Sequence, residues 1–164
     1  MQKADHLRGK WWSVPLFLTA LLVVAFDQPS KMWIRSYPLG HPIFKIAFFR
    51  LTHVGNTGAA FGLFQGQSFI LTIVALVGIA TLLLLALFIP HRFPLPANMP
   101  NRIALGLILG GTVGNLVDRL FFGYVTDFVS VGIWPAFNIA DSAIVIGVII
   151  IAYSLLRLAR AEKH

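Results

Sequence analysis

Two aspartates, Asp127 and Asp141, bracket the stretch VTDFVSVGIWPAFNIAD, where carboxylates interrupt a chain that otherwise avoids charge. Gly132, Trp134 and Pro135 lie between them, and this segment cannot continue a helix, so a loop is expected that could bring the two carboxylates together. A close carboxylate pair cannot comfortably carry two negative charges; one shared proton is the expected state. The ionised member can then take a proton from water while the protonated member polarises a carbonyl. Asn138 lies three residues before Asp141, on the same face of the helix expected there, where an amide can orient the carboxylate or bind a carbonyl.

Further polar groups cluster in short blocks. GGTVGNLVDR places Gly110, Gly114 and Asp118 on one helical stripe, with Asn115 and Arg119 beside it. Small residues at that spacing commonly serve helix packing, but packing needs no amide, carboxylate and guanidinium within five residues. NTGAAFG, from Asn56 to Gly62, combines an amide with Gly58 at a turn where backbone could approach a ligand. Asp27 and Lys31 in DQPSK are spaced to pair on one helix face, a supporting ion pair rather than a reacting group.

The elements that must carry these residues are membrane elements. Hydrophobic residues make up 57% of the 164 and charged residues only 12%, with a mean hydropathy of +0.80. Soluble domains carry roughly a quarter charged residues. Ionisable groups inside apolar runs are costly, which makes Asp27, Asp118, Asp127 and Asp141 candidate functional groups. The net charge of +7 is scattered around apolar spans rather than gathered into a stripe with aromatics, so nucleic acid is not expected as a partner. The absence of cysteine excludes disulfides, thiolate metal sites and a cysteine nucleophile.

An all-α membrane protein with four transmembrane helices follows, with spans at about 11–33, 68–89, 101–122 and 138–159, in one domain over 1–164. Pro29 is expected to kink or end the first helix. Residues 39–64 hold shorter apolar clusters and weak alternation through Phe44, Ile46 and Phe48, read as short strands at the membrane surface. Four spans put the termini and the second connection on one side with eight Lys/Arg, against five on the other. By the positive-inside rule the termini are cytoplasmic and the aspartates face outward.

Taken in order, DQPSK, NTGAAFG, GGTVGNLVDR, VTDF and FNIADSAI resemble the lipoprotein signal peptidases, the signal peptidase II family, over nearly the whole chain. Pro29 departs from the apolar residue usual in the first block. The resemblance implies an aspartyl endopeptidase of the bacterial inner membrane that cuts the signal peptide from prolipoproteins just before a diacylglyceryl-bearing cysteine. It implies Asp127 and Asp141 as the catalytic dyad, and Asn56, Gly58, Asn115, Arg119 and Asn138 as substrate-binding or shaping residues. Asp27, Lys31 and Asp118 match supporting polar positions. It further implies a small extracytoplasmic β-cradle and a short periplasmic helix that grip the lipobox and lipid. A monomer without cofactor or metal, in contact with membrane lipids and inhibited by globomycin-type peptide antibiotics, completes the expectation.

Two other chemistries start from the same residues. A serine peptidase would use Ser142 or Ser30 with Lys31 as base, and a small transporter would use the carboxylates as a cation path. Ser30 and Lys31 are sequence neighbours beside a proline, a poor geometry for nucleophile and base, and no internal repeat suggests a transporter. His41 and His53 lack a carboxylate at ligand spacing and are expected on the solvent side.

Overall fold

The computed structural model describes residues 13–59, 63–88 and 98–161. Its elements in order are α1 (Val14–Arg35), β1 (Pro42–Ile46), β2 (Phe49–Asn56), α2 (Ser68–Phe88), α3 (Met99–Phe122), β3 (Val125–Val131) and α4 (Ile139–Ala161). The expected first span began at 11 and the second ended at 89, both outside the described residues, as are 60–62 of the NTGAAFG block.

Each helix starts and stops for a local reason. Pro15 occupies the first turn of α1, where a missing N–H costs nothing. Pro29, expected to kink or end α1, does not end it: the helix continues to Arg35. One lost backbone bond is tolerable in a helix whose second half is held by the side-chain bonds described below. The Asn98 side chain caps α3 by accepting from Asn101 N at 3.0 Å. At its other end Gly123 takes φ 77°, a left-handed conformation that stops the helix and turns the chain straight into β3.

Val125–Val131, for which no strand was expected beside the loop between the aspartates, is the third strand of an antiparallel sheet ordered β1-β2-β3. Phe49 faces Val131 and Val54 faces Asp127, with an irregularity between Leu51 and Val54. The strand escaped detection because its apolar residues do not alternate. Its first four residues are all buried, so both faces are covered and no period of two is written into them. The loop expected around Gly132 to Pro135 is real but shorter, a turn beyond the strand.

The core is inverted in part relative to a water-soluble protein: beside an apolar cluster of Leu16, Ala20 and Leu109 it buries charged groups. The largest fully buried side chains include Lys31, Asn101, Asn138, Asp27, Asp118 and Asp127, while Phe26, Phe69 and Phe121 are exposed. Polar groups inside and aromatics outside is the arrangement a hydrocarbon surround selects. Among the described residues three helices, α2, α3 and α4, are long and apolar enough to cross a membrane; α1, of 22 residues, carries Asp27, Lys31 and Arg35 in its second half.

Helix α3 is central, packed against α1, α2 and α4. Its glycine stripe serves this packing: a Cβ on Gly110 would lie 2.6 Å from the Ala20 carbonyl oxygen, and one on Gly114 would lie 2.6 Å from Asp27 Oδ2. Backbone and carboxylate could not come so near a larger residue. No short helix outside the four long ones occurs among the described residues, where Leu63–Gly66 form a turn. His53, expected at the solvent side, is buried, with Nδ1 2.7 Å from the Tyr37 carbonyl oxygen, while exposed His41 stacks on the Tyr37 ring.

Candidate active site

The turn beyond β3 is closed by backbone pairing of Val129 with Phe137, each N–H donating to the other's carbonyl at 2.9 Å. That pairing lays Asn138 beside Asp127 and starts α4 at the next residue. Asn138 heads the helix in a reciprocal cap. Its Oδ1 accepts from Asp141 N at 2.8 Å, and Asp141 Oδ2 accepts from Asn138 N at 3.2 Å. The Asn138 amide also donates to Asp127 Oδ1 at 2.7 Å, so one residue touches both carboxylates.

Three asparagines surround the pair, each with its amide orientation determined by a group that can only donate. Asn56 Oδ1 accepts from Gly58 N at 2.9 Å, which turns its NH₂ onto Asp127 Oδ2 at 2.9 Å. Asn138 is oriented by the Asp141 backbone N–H. Asn115 Oδ1 accepts from the Lys31 ammonium at 2.8 Å, and its NH₂ donates to Asp141 Oδ1 at 2.8 Å. All four carboxylate oxygens therefore meet N–H donors.

Asp127 stands on the strand, almost completely buried. Burial first, and the Asp141 charge second, push its carboxyl from the usual range up to about 7, against the opposing pull of the Asn56 and Asn138 amides.

The supporting carboxylates tie the elements together. Asp27 Oδ1 on α1 accepts from Ala140 N at 2.9 Å, and its Oδ2 pairs with Lys31 at 2.8 Å. Asp118 Oδ2 accepts from Thr126 N at 2.7 Å, pinning the residue before Asp127, while Oδ1 pairs with Arg35 at 3.0 Å. Arg35 also donates to the Thr126 hydroxyl at 3.1 Å. Arg35 and Thr126 were not singled out in the sequence, although Asp27, Lys31 and Arg35 recur every four residues on one face of α1, which is a readable signal for Arg35.

The dyad opens on a cavity of about 720 Å³ lined by Asn56, Gly58, Asn115, Arg119, Ser142 and the Trp134–Phe137 turn, and bordered by Ile144, Val145 and Ile146 of α4. Arg119 donates to the Gly58 carbonyl at 3.2 Å, while its buried Nε has no hydrogen-bond partner among the described residues. Gly58 has no room for a side chain, since a Cβ would lie 2.5 Å from the Leu63 carbonyl oxygen. All ten residues singled out in the sequence thus gather at one end of the helices; Asn138, Lys31, Asp27 and Asp118 lie behind the cavity rather than on it. The serine alternatives are both occupied: Ser30 donates to the Asp27 carbonyl at 2.7 Å, and Ser142 to the Asn138 carbonyl at 3.0 Å.

Other proteins resemble this chain in sequence and fold. The family described as Signal peptidase (SPase) II matches residues 19–157. The lipoprotein signal peptidase of Moorella thermoacetica is 44% identical over 145 residues, covering 87% of this chain and 93% of that one. That of Dehalococcoides mccartyi (strain BAV1) is 46% identical over 134 residues, covering 81% and 83%. A solved bacterial membrane enzyme superposes with a TM-score of 0.78 at 32% identity, covering 87% of each chain. Since the match contains both helices and the strand that build the site, the chain belongs to the signal peptidase II family, the lipoprotein signal peptidases, and is a multi-pass membrane protease.

Proposed function

We propose that this protein is an aspartyl endopeptidase that removes the signal peptide from diacylglyceryl-modified prolipoproteins, using Asp127 and Asp141 to activate water. The observation that carries this reading is that both carboxylates line one cavity with every oxygen on an N–H donor. Such a pair is held for proton exchange with whatever occupies the cavity.

In the chemical step, Asp141 as carboxylate takes a proton from water while the water oxygen bonds to the scissile carbonyl carbon. Asp127, whose carboxyl is held at about 7, gives its proton to the carbonyl oxygen. The tetrahedral diol that results then collapses: the C–N bond breaks, Asp141 returns its proton to the leaving nitrogen, and Asp127 takes one back from the diol. The Arg119 Nε, buried without a partner among the described residues, would donate to a substrate carbonyl and hold the peptide along Gly58. The leaving nitrogen becomes the amino terminus of the lipidated cysteine.

Four spans, cytoplasmic termini and a site toward the outer face of the bacterial inner membrane are supported by the charge distribution and by the inverted core. Asp127→Asn and Asp141→Asn test the chemistry. Either should abolish single-turnover cleavage while binding of lipidated precursor persists, and the double variant should be no worse than either single one. Substantial turnover in either variant, or complete loss in Ser142→Ala with intact binding, would move the chemistry elsewhere.

A further inference from the structure

Lys31 is the most unexpected group in the interior. Its side chain is fully buried on α1, 2.8 Å from Asp27 Oδ2, 3.5 Å from Asp118 Oδ2 and 2.8 Å from Asn115 Oδ1. A buried ion pair is weak evidence for stability, because desolvation of the two ions offsets much of their attraction. Nor do the two carboxylates depend on Lys31 for a partner. Asp27 also accepts from Ala140 N and from Gln28, and Asp118 accepts from Thr126 N and Arg35.

Asn115 supplies the missing reason. A carboxamide is nearly symmetric in shape, so the site must specify electrically which end faces Asp141. For Asn56 and Asn138 a backbone N–H does this. Asn115 sits in the middle of α3, where neighbouring N–H groups are committed to the helix ladder, so the orienting donor has to be a side chain. Lys31 meets that need, with the Asn138 amide donating to the same oxygen at 3.1 Å. A flipped Asn115 would set its NH₂ against the ammonium and its oxygen against the Asp141 carboxylate, two repulsive contacts in place of two attractive ones.

We propose that Lys31 is a positioning residue for the dyad: held by Asp27, its ammonium fixes the orientation of the Asn115 amide and thereby the seating of the Asp141 carboxylate. This rests on the carboxylate-pair reading above. The experiment compares Lys31→Met, the charge-balanced pair Asp27→Asn/Lys31→Met, Asn115→Leu, and each Lys31 background combined with Asn115→Leu. The charge-balanced pair leaves no carboxylate stranded and keeps an oxygen facing Ala140 N, so it carries the test if Lys31→Met alone does not fold. Single-turnover cleavage of lipidated precursor in lipid is measured against active-enzyme concentration obtained by binding titration.

The cleavage rate should fall by roughly 100-fold in either Lys31 background, the usual consequence of a displaced catalytic group, with precursor affinity little changed. Asn115→Leu should cost a similar factor alone, and less than about threefold more when added to a Lys31 background, since both changes remove the same donor. A charge-balanced pair that cleaves within about threefold of the parent, or losses that multiply, would overturn the proposal. Asp127→Asn separates the two readings: turnover in that variant overturns the dyad and this inference together, whereas an inactive Asp127→Asn beside a fully active charge-balanced pair overturns only the role of Lys31.

Discussion

Gly58→Ala places a methyl group 2.5 Å from the Leu63 carbonyl oxygen, where ordinary contact begins at 3.4 Å, so the two must separate by about 0.9 Å. Leu63 cannot retreat cheaply, because the same oxygen accepts the Ala59 N–H at 2.7 Å and closes the turn on itself. The movement therefore falls on Gly58, whose N–H orients Asn56 and whose carbonyl receives Arg119. Asn56 in turn donates to Asp127. A displacement near 1 Å at catalytic groups costs roughly 100-fold in rate, about 2.7 kcal/mol of barrier. The assay is single-turnover cleavage of lipidated precursor, with thermal unfolding followed alongside. Gly78→Ala is the control: a Cβ there meets nothing within 4 Å, and the rate should match the parent. If Gly58→Ala cleaves as fast as Gly78→Ala, the contact does not position the site and the account of Asn56 and Arg119 fails.

Three further outcomes follow. Asp127, held at about 7, keeps its proton below that pH and loses it above, so kcat should fall toward tenfold per unit above about pH 8; a pH–rate profile in liposomes flat to alkaline pH would contradict the assignment. A reporter fused after His164 should be cytoplasmic and one inserted between Gly123 and Pro135 extracytoplasmic, and the reverse result would overturn the proposed orientation. Precursor lacking its diacylglyceryl group should be cleaved poorly, since each buried CH₂ contributes about 0.8 kcal/mol; equal rates in a competition assay would remove the lipid from recognition.

The carboxylates and amides were legible because a hydrophobic chain makes every polar residue conspicuous. Asp127, Asp141, Asn115 and Asn138 stand out against their neighbours, and the structure brings them together. What they do to one another was not legible. The bond from Lys31 to Asn115 joins residues 84 apart and exists only because Gly110 and Gly114 let α1 approach α3 closely. Sequence spacing registers Asp27 with Lys31 on one helix, but a cross-helix partner depends on rotation and depth of packing. β3 was missed for a related reason: a strand covered on both faces loses the alternation by which strands are read. Of the two effects expected of Pro29, ending the helix does not occur, and the tertiary bonds that hold α1 beyond it were not visible in the sequence.

The cavity borders Val145 and Ile146, which belong to the exposed apolar face of α4. A precursor anchored in the bilayer can therefore approach by sliding sideways in two dimensions, without leaving the lipid. The concentration that governs its encounter with Asp127 and Asp141 is then a mole fraction of membrane lipid rather than an amount per litre of buffer. Adding inert lipid or detergent at constant enzyme and precursor should slow turnover by surface dilution alone, and Michaelis constants measured in different micelles should agree only when expressed per surface.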